Sequence, residues 1–353
     1  MYRVPWTKFD NPNGWLEITT YCQLKCNGCY RGCDKNVNPE HVPLEKLIQD
    51  IDFYIENRNI NMISLSGGEP LLYPDLNKLL SYCKEKGLKV RILSNGLLLN
   101  YRTLKQLENN GVSEFLLHVS KEQNYKGYDT EKKLNEIRLD YCNLFSEVEK
   151  IQLGFIMPIT IDNFNEIENV LQFCKSHSNI VRSIAFTCYN GQANEMYDEY
   201  RKVSLKMIQK EISRIYNCEP SSFMGKRYNP DKPSWLWYFP LINKLGEVVG
   251  NISPKGVEQI QIYYKKKTGK WPFTLIKDKL RKKSLFLFLK LNNIHKWLFN
   301  DTYLQVISIT DTPELEKEGW DTCEGCLDPV LYENKLVPSC LLERIKKGED
   351  IRI

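Results

Sequence analysis

The sequence predicts an α/β protein: six strands, each followed by a helix, build a parallel sheet, and a smaller C-terminal α+β module follows. Three observations carry this. From about Gly14 to Tyr216, short apolar runs rich in Ile, Leu, Phe and Val alternate with longer stretches of helical period. After about Asn217 the alternation stops, and Pro220, Pro230, Pro233, Pro240 and Pro254 break up helical runs. A length of 353 residues suffices to bury one large core with an appended module.

Residues 1–13 read as an N-terminal extension. The strands follow as Trp15 to Thr19, Met62 to Ser66, Lys89 to Leu93, Glu114 to Val119, Ile151 to Met157 and Arg182 to Thr187. Between them lie amphipathic helices. Leu44, Leu47, Ile48, Ile51, Tyr54 and Ile55 make one apolar stripe, with Pro43 suited to the first turn, and Leu134, Ile137, Tyr141, Leu144, Phe145 and Val148 make another. Such a series needs right-handed crossovers, in either an open doubly wound sheet or part of a barrel. Both place the chemistry at the C-terminal ends of the strands. In the second module, residues 217–353, LINKLGEVVGNI reads as a hairpin turning at Gly246, and DPVLYENKLVPSC as one turning at Glu333 and Asn334.

Composition narrows the class. A hydrophobic fraction of 42% and a charged fraction of 26% are those of a globular protein. The first residues, MYRVPWTKFDNPNGW, lack the apolar run of a signal peptide, and no later stretch is apolar enough to span a membrane, so a cytoplasmic location is expected. A net charge of +5 gives no reason to expect nucleic acid as a partner. In a reducing compartment, twelve cysteines point to metal ligation rather than disulfides. Cys83, Cys142 and Cys174 sit on apolar faces of helices and read as core.

The cysteines that carry chemistry fall in two groups. Directly after the first strand, TTYCQLKCNGCY spaces Cys22, Cys26 and Cys29 by three and then two residues. Three thiolates are too few for a closed tetrahedral zinc site unless another ligand is recruited, but enough to hold three irons of a [4Fe-4S] cluster and leave the fourth open. After the second strand comes SLSGGEPLLYP, where paired glycines allow close approach to the backbone and a carboxylate can accept from an ammonium. The third strand ends in Ser94, Asn95 and Gly96, and the fourth at Ser120.

In these motifs, in this order, residues 14–216 resemble the radical S-adenosylmethionine (SAM) superfamily. The resemblance selects the partial (β/α)6 barrel of parallel strands. It implies an enzyme in which SAM is reductively cleaved at a [4Fe-4S] cluster held by Cys22, Cys26 and Cys29. The resulting 5'-deoxyadenosyl radical abstracts hydrogen from a substrate, and an external donor such as flavodoxin or ferredoxin supplies the electron. By the same resemblance Gly67, Gly68, Glu69 and Pro70 bind the amino group of SAM, and Ser94, Asn95 and, more weakly, Ser120 face its ribose or carboxylate. The sequence departs from the family in having Gly28 where an aromatic residue commonly precedes the last cysteine; Tyr30 stands to cover the cofactor instead.

Near the C-terminus, Cys323, Cys326 and Cys340 form a Cys-x-x-Cys with a third cysteine across a hairpin, a geometry suited to zinc or an iron-sulfur cluster. The stretch resembles a reduced form of the SPASM auxiliary-cluster domain of peptide-modifying radical SAM enzymes, which implies at most one auxiliary [4Fe-4S] cluster. Cys188, ending the sixth strand, either returns a hydrogen atom to a substrate radical, completes the auxiliary site, or is buried core. Between Lys265 and Lys283 nine Lys or Arg face one acid, Asp278, and SLFLFLKLNNIHKWLFN follows. Residues 265–299 are therefore either a solvated charge run beside a core helix or a peripheral membrane contact. The first favours a peptide-derived substrate, the second a lipid. A separate reading, a non-enzymatic iron-sulfur or zinc protein acting as redox sensor or nucleic-acid binder, predicts no need for Glu69.

Overall fold

The computed structural model describes residues 1–27, 29–33, 40–189, 203–273 and 302–349. After a two-residue strand β1 (Tyr2–Arg3), all six expected strands form: β2 (Asn13–Thr19), β3 (Met62–Gly67), β4 (Lys89–Ser94), β5 (Val112–His118), β6 (Gln152–Ile159) and β7 (Val181–Cys188). They pair in parallel, each with the next. Helices α1 (Leu44–Arg58), α2 (Leu76–Glu85), α3 (Tyr101–Asn109), α4 (Glu131–Ser146), the short α5 (Ile161–Phe164), α6 (Ile167–Ser176) and α7 (Leu205–Tyr216) make the crossovers.

The two-residue period of the strands sorts their faces. Leu16 and Ile18 of β2 and Ile63 and Leu65 of β3 turn outward and pack with Ile51 and Tyr54 of α1 in one fully buried core. Each such side chain contributes about 1.5–3 kcal/mol on burial. Cys83, Cys142 and Cys174 lie in this core. The alternate positions are polar: Ser64 donates to Asn13, and Arg91, Glu114, Gln152, Ser183 and Ser308 line one pocket.

The rest of the chain comprises β8 (Ser222–Gly225), β9 (Pro233–Tyr238), β10 (Pro240–Ile242), β11 (Val248–Asn251), α8 (Pro254–Thr268), β12 (Tyr303–Leu304), β13 (Val306–Thr310), β14 (Glu314–Glu316), β15 (Gly319–Asp321), β16 (Pro329–Tyr332), β17 (Lys335–Pro338) and α8's shorter counterpart α9 (Leu342–Lys346). Strand β13 joins β7 in parallel, as a seventh parallel strand. Antiparallel β9 and β8, then β1, extend the sheet to ten strands. Both expected hairpins form. Gly246 turns between β10 and β11 with φ +77°, and Glu333 and Asn334, at φ 47° and 61°, turn between β16 and β17.

The stretch from β15 to β16 bridges the two ends of this open sheet. On the β8 side, the N–H of Glu324 donates to Gly225 (3.0 Å) and that of Arg227 to Thr322 (2.8 Å). On the β2 side, Asn13 donates to the Leu327 carbonyl (2.8 Å) and Tyr54 to that of Pro329 (2.8 Å). Cys323 and Cys326 ride on the bridging segment.

The described part of the basic stretch folds back on the protein: Lys265 pairs with Asp10 (2.6 Å) and Lys270 donates to the Ile60 carbonyl (2.6 Å). Most of the proposed membrane contact, residues 274–299, lies outside the described residues. Among those described, no helix is long and apolar enough to cross a membrane.

Candidate functional site

The strands β2 to β7 deliver Thr19, Gly67, Ser94, Ser120 and Cys188 to one rim of the sheet. The loop leaving β2 is pinned at its base: Thr19 bonds His41 (2.9 Å), and the N–H of Thr20 donates to Glu40 (2.9 Å). Further along, the N–H of Asn27 donates to the Glu122 carbonyl (2.7 Å), docking the loop against the turn after β5. Cys22 is buried and Cys26 and Cys29 half-buried.

The glycines at the end of β3 exist because of this loop. The N–H of Gly68 donates to Thr19 (2.7 Å) and that of Glu69 to Tyr21 (2.7 Å), so two backbones run in contact. A Cβ on Gly67, which has φ +115°, would stand 2.4 Å from the Thr19 carbonyl oxygen, and one on Gly68 2.1 Å from that of Tyr21. No side chain fits there. Pro70 opens a short 3-10 turn, whose Leu71 N–H donates to Glu69 (3.1 Å).

Glu69 is fully buried and ties β3 to β4. Its carboxylate accepts from Ser94 Oγ (2.7 Å) and from the Asn95 N–H (2.8 Å), while burial pushes its pKa up. Asn95 in turn reaches Cys22 Sγ at 3.7 Å. The motifs of three successive strands thus form one bonded unit. Ser120 turns inward, its hydroxyl paired with His118 Nε2 (2.7 Å) and its N–H donating to Gln123 (3.0 Å).

Among the thiols, Cys29 stands out: the Cys33 thiol and the backbone N–H groups of Arg31, Gly32 and Cys33 lower its pKa to about 6. Burial raises Cys22 and Cys26. Among the described residues, no three His, Cys, Asp or Glu side chains already converge at ligating distance. The donor set nevertheless fits a [4Fe-4S] cluster, with three thiols on one anchored loop and N–H groups aimed at one sulfur.

Tyr30, the residue expected to cover the cofactor, is anchored at its hydroxyl. It turns under the loop, where its hydroxyl bonds Ser66 (2.9 Å) and Glu17 (3.4 Å). Arg31 beside it pairs with Glu17 (2.8 Å) and with Glu343 of α9, fastening the cysteine loop to the C-terminal helix. A buried arginine between two carboxylates draws both segments together.

The second cysteine group is assembled across the fold. Cys323, Cys326 and Cys340 line one cavity together with Lys226, Asp311 and Asp328. Cys326 donates to Cys323, which lowers the Cys323 pKa and, with burial, raises that of Cys326, while burial raises that of Cys340. Lys226, fully buried, pairs with Asp311 (3.0 Å) and Glu314 (3.2 Å). Asp311 also touches Cys188, which links the end of β7 to this cavity wall. Sequence reasoning did not single out Lys226, Asp311 or Asp328, because isolated charged residues show no pattern until the chain is folded.

Residues 16–174 match the family model described as Radical SAM superfamily. Its cofactors are a [4Fe-4S] cluster and SAM, and its members are enzymes. The chain is 29% identical to a "Probable GTP 3',8-cyclase" of Methanococcus vannielii over 56% of its own length and 65% of the relative's. It is 26% identical to the GTP 3',8-cyclase of Aquifex aeolicus over 70% of its own length and 77% of the relative's. Among solved structures it is similar to SuiB of Streptococcus suis bound to precursor peptide SuiA, at 17% identity and a TM-score of 0.45, covering 60% of this chain and 47% of that one.

Proposed function

We propose that residues 14–216 are a radical SAM core in which SAM, cleaved reductively at a [4Fe-4S] cluster on Cys22, Cys26 and Cys29, yields a 5'-deoxyadenosyl radical that takes hydrogen from a peptide-derived or lipid substrate. The observation that carries this is the bonded unit of cysteine loop, Gly67 to Pro70, and Ser94 with Asn95 at adjoining strand ends. Gly67 and Gly68 keep the cysteine loop against the rim, and Glu69 presents a buried carboxylate toward an ammonium group. Ser94 and Asn95 hold that carboxylate in place while lying beside the position for the ribose or carboxylate of SAM; Ser120 stands at the next strand end. The second module, residues 217–353, supplies an auxiliary site on Cys323, Cys326 and Cys340, and its resemblance to SPASM domains favours a peptide-derived substrate. Cys188, at the end of β7 and against Asp311 of the C-terminal cavity, hands a hydrogen atom back to a substrate radical in this reading. A flavodoxin or ferredoxin supplies the electron.

The test is anaerobic reconstitution with iron and sulfide, then dithionite and SAM, with 5'-deoxyadenosine as readout. Wild-type protein is expected to form it, and Cys22→Ala, Cys26→Ala and Cys29→Ala not. Undiminished formation by these variants would refute the proposal.

A further inference from the structure

The C-terminal site has three cysteines, and a cluster with four protein ligands needs one more group. Four observations single out the same residue. First, Asp328 lines the cavity that Cys323, Cys326 and Cys340 line. Second, the β16–β17 hairpin sets its position. Pro329 lies opposite Pro338, and the Ser339 N–H donates to the Asp328 carbonyl (3.0 Å), so Asp328 stands at the hairpin base beside Cys340 and two residues after Cys326.

Third, the other carboxylates of this cavity are committed. Asp321 accepts from the Tyr228 N–H (2.7 Å) and from Asn229 (2.8 Å), and Asp311 holds Lys226. Among the described residues no hydrogen bond holds the Asp328 carboxylate. Of the two arginines whose charge it feels, Arg91 pairs with Glu114 (2.6 Å) and Arg58 donates to the carbonyls of Lys8 (2.9 Å) and Cys326 (2.9 Å). The half-buried Asp328 carboxylate thus stands at the cavity with its oxygens open to a cation or metal. Fourth, the surroundings suit an anionic cluster, since Lys226 lines the cavity and Arg58, bonded to the Cys326 carbonyl, brings positive charge close to it.

We propose that Asp328 is the fourth ligand, so that Cys323, Cys326, Asp328 and Cys340 hold an auxiliary [4Fe-4S] cluster through three thiolates and one carboxylate. This rests on the reading of the C-terminal cysteines as an iron-sulfur site. An oxygen ligand on one iron makes that iron the labile corner, and it sets the reduction potential apart from that of an all-cysteine cluster.

The experiment uses full-length chain carrying Cys22→Ala, Cys26→Ala and Cys29→Ala, reconstituted without oxygen, so that only the C-terminal site can be loaded. Iron and sulfide per chain, the electron paramagnetic resonance spectrum and the reduction potential are measured. This background is expected to hold about four irons. Adding Asp328→Ala is expected to lower that to about three or fewer, with the spectrum of a three-iron cluster after oxidation. Asp328→Cys, which guards against a folding defect in the alanine variant, is expected to restore about four irons at a shifted potential. Unchanged iron, spectrum and potential in Asp328→Ala, with iron lost in Cys323→Ala, would overturn the ligand assignment alone. No iron in the background chain, or zinc in its place, would overturn the iron-sulfur reading itself.

Discussion

Substituting Gly68 by Ala puts a methyl group 2.1 Å from the carbonyl oxygen of Tyr21, where contacts below 3.0 Å are not tolerated. The two backbones must therefore separate by about 1 Å at that point. The strain of an extra methyl in a packed site is about 1–3 kcal/mol. Separation also weakens the Gly68 to Thr19 and Glu69 to Tyr21 hydrogen bonds, both 2.7 Å, at about 1 kcal/mol each. The total, about 3–5 kcal/mol, falls on the segment that carries Cys22. Relief is available by lifting the loop away from β3, so the expected result is a folded protein that has lost most of its N-terminal cluster. The assay is iron content after reconstitution, in a Cys323→Ala background that removes the auxiliary site, with circular dichroism to confirm the fold. Full iron loading of Gly68→Ala would refute the claim that close backbone contact positions the cysteine loop.

Three further outcomes follow from the same structure. Burial, with the Arg138 guanidinium adding to it, pushes His118 down from 6.5 to about 4, so the folded chain resists protonation that the unfolded chain accepts. Stability is therefore full above pH 6.5 and falls by up to about 3 kcal/mol as pH drops toward 4, and denaturant melts of His118→Phe should show a shallower loss over that window. Arg31→Met leaves Glu17 buried without its cation and should cost about 3–5 kcal/mol in urea titrations; a neutral result would mean that the loop and α9 are not coupled through this residue. Glu333 and Asn334 both occupy the left-handed region, at φ 47° and 61°, which Asn-Gly fills with less strain. The pair Glu333→Asn and Asn334→Gly should therefore raise stability by about 0.5–1 kcal/mol, and a lower melting point would contradict the turn geometry.

What the sequence made legible was what local order dictates. The six strands, the hairpin turns at Gly246 and Glu333–Asn334, and the three-cysteine loop all show in residues close together along the chain. The seventh parallel strand, Val306–Thr310, did not, since its partner β7 lies more than a hundred residues earlier and periodicity reports faces, not neighbours. The same limit hid Asp328, which gains meaning only from hairpin register and a shared cavity. The anchoring of Arg31 was hidden too, since its partners Glu17 and Glu343 come from two other elements.

The central claim is that Cys22, Cys26 and Cys29 hold a cluster beside which SAM binds. It is tested most directly by electron paramagnetic resonance of the reconstituted, dithionite-reduced chain lacking Cys323, Cys326 and Cys340, before and after SAM is added. A reduced-cluster signal that shifts on adding SAM and vanishes in Cys29→Ala is the predicted result. A signal that SAM leaves unmoved, or no cluster at all, would contradict it.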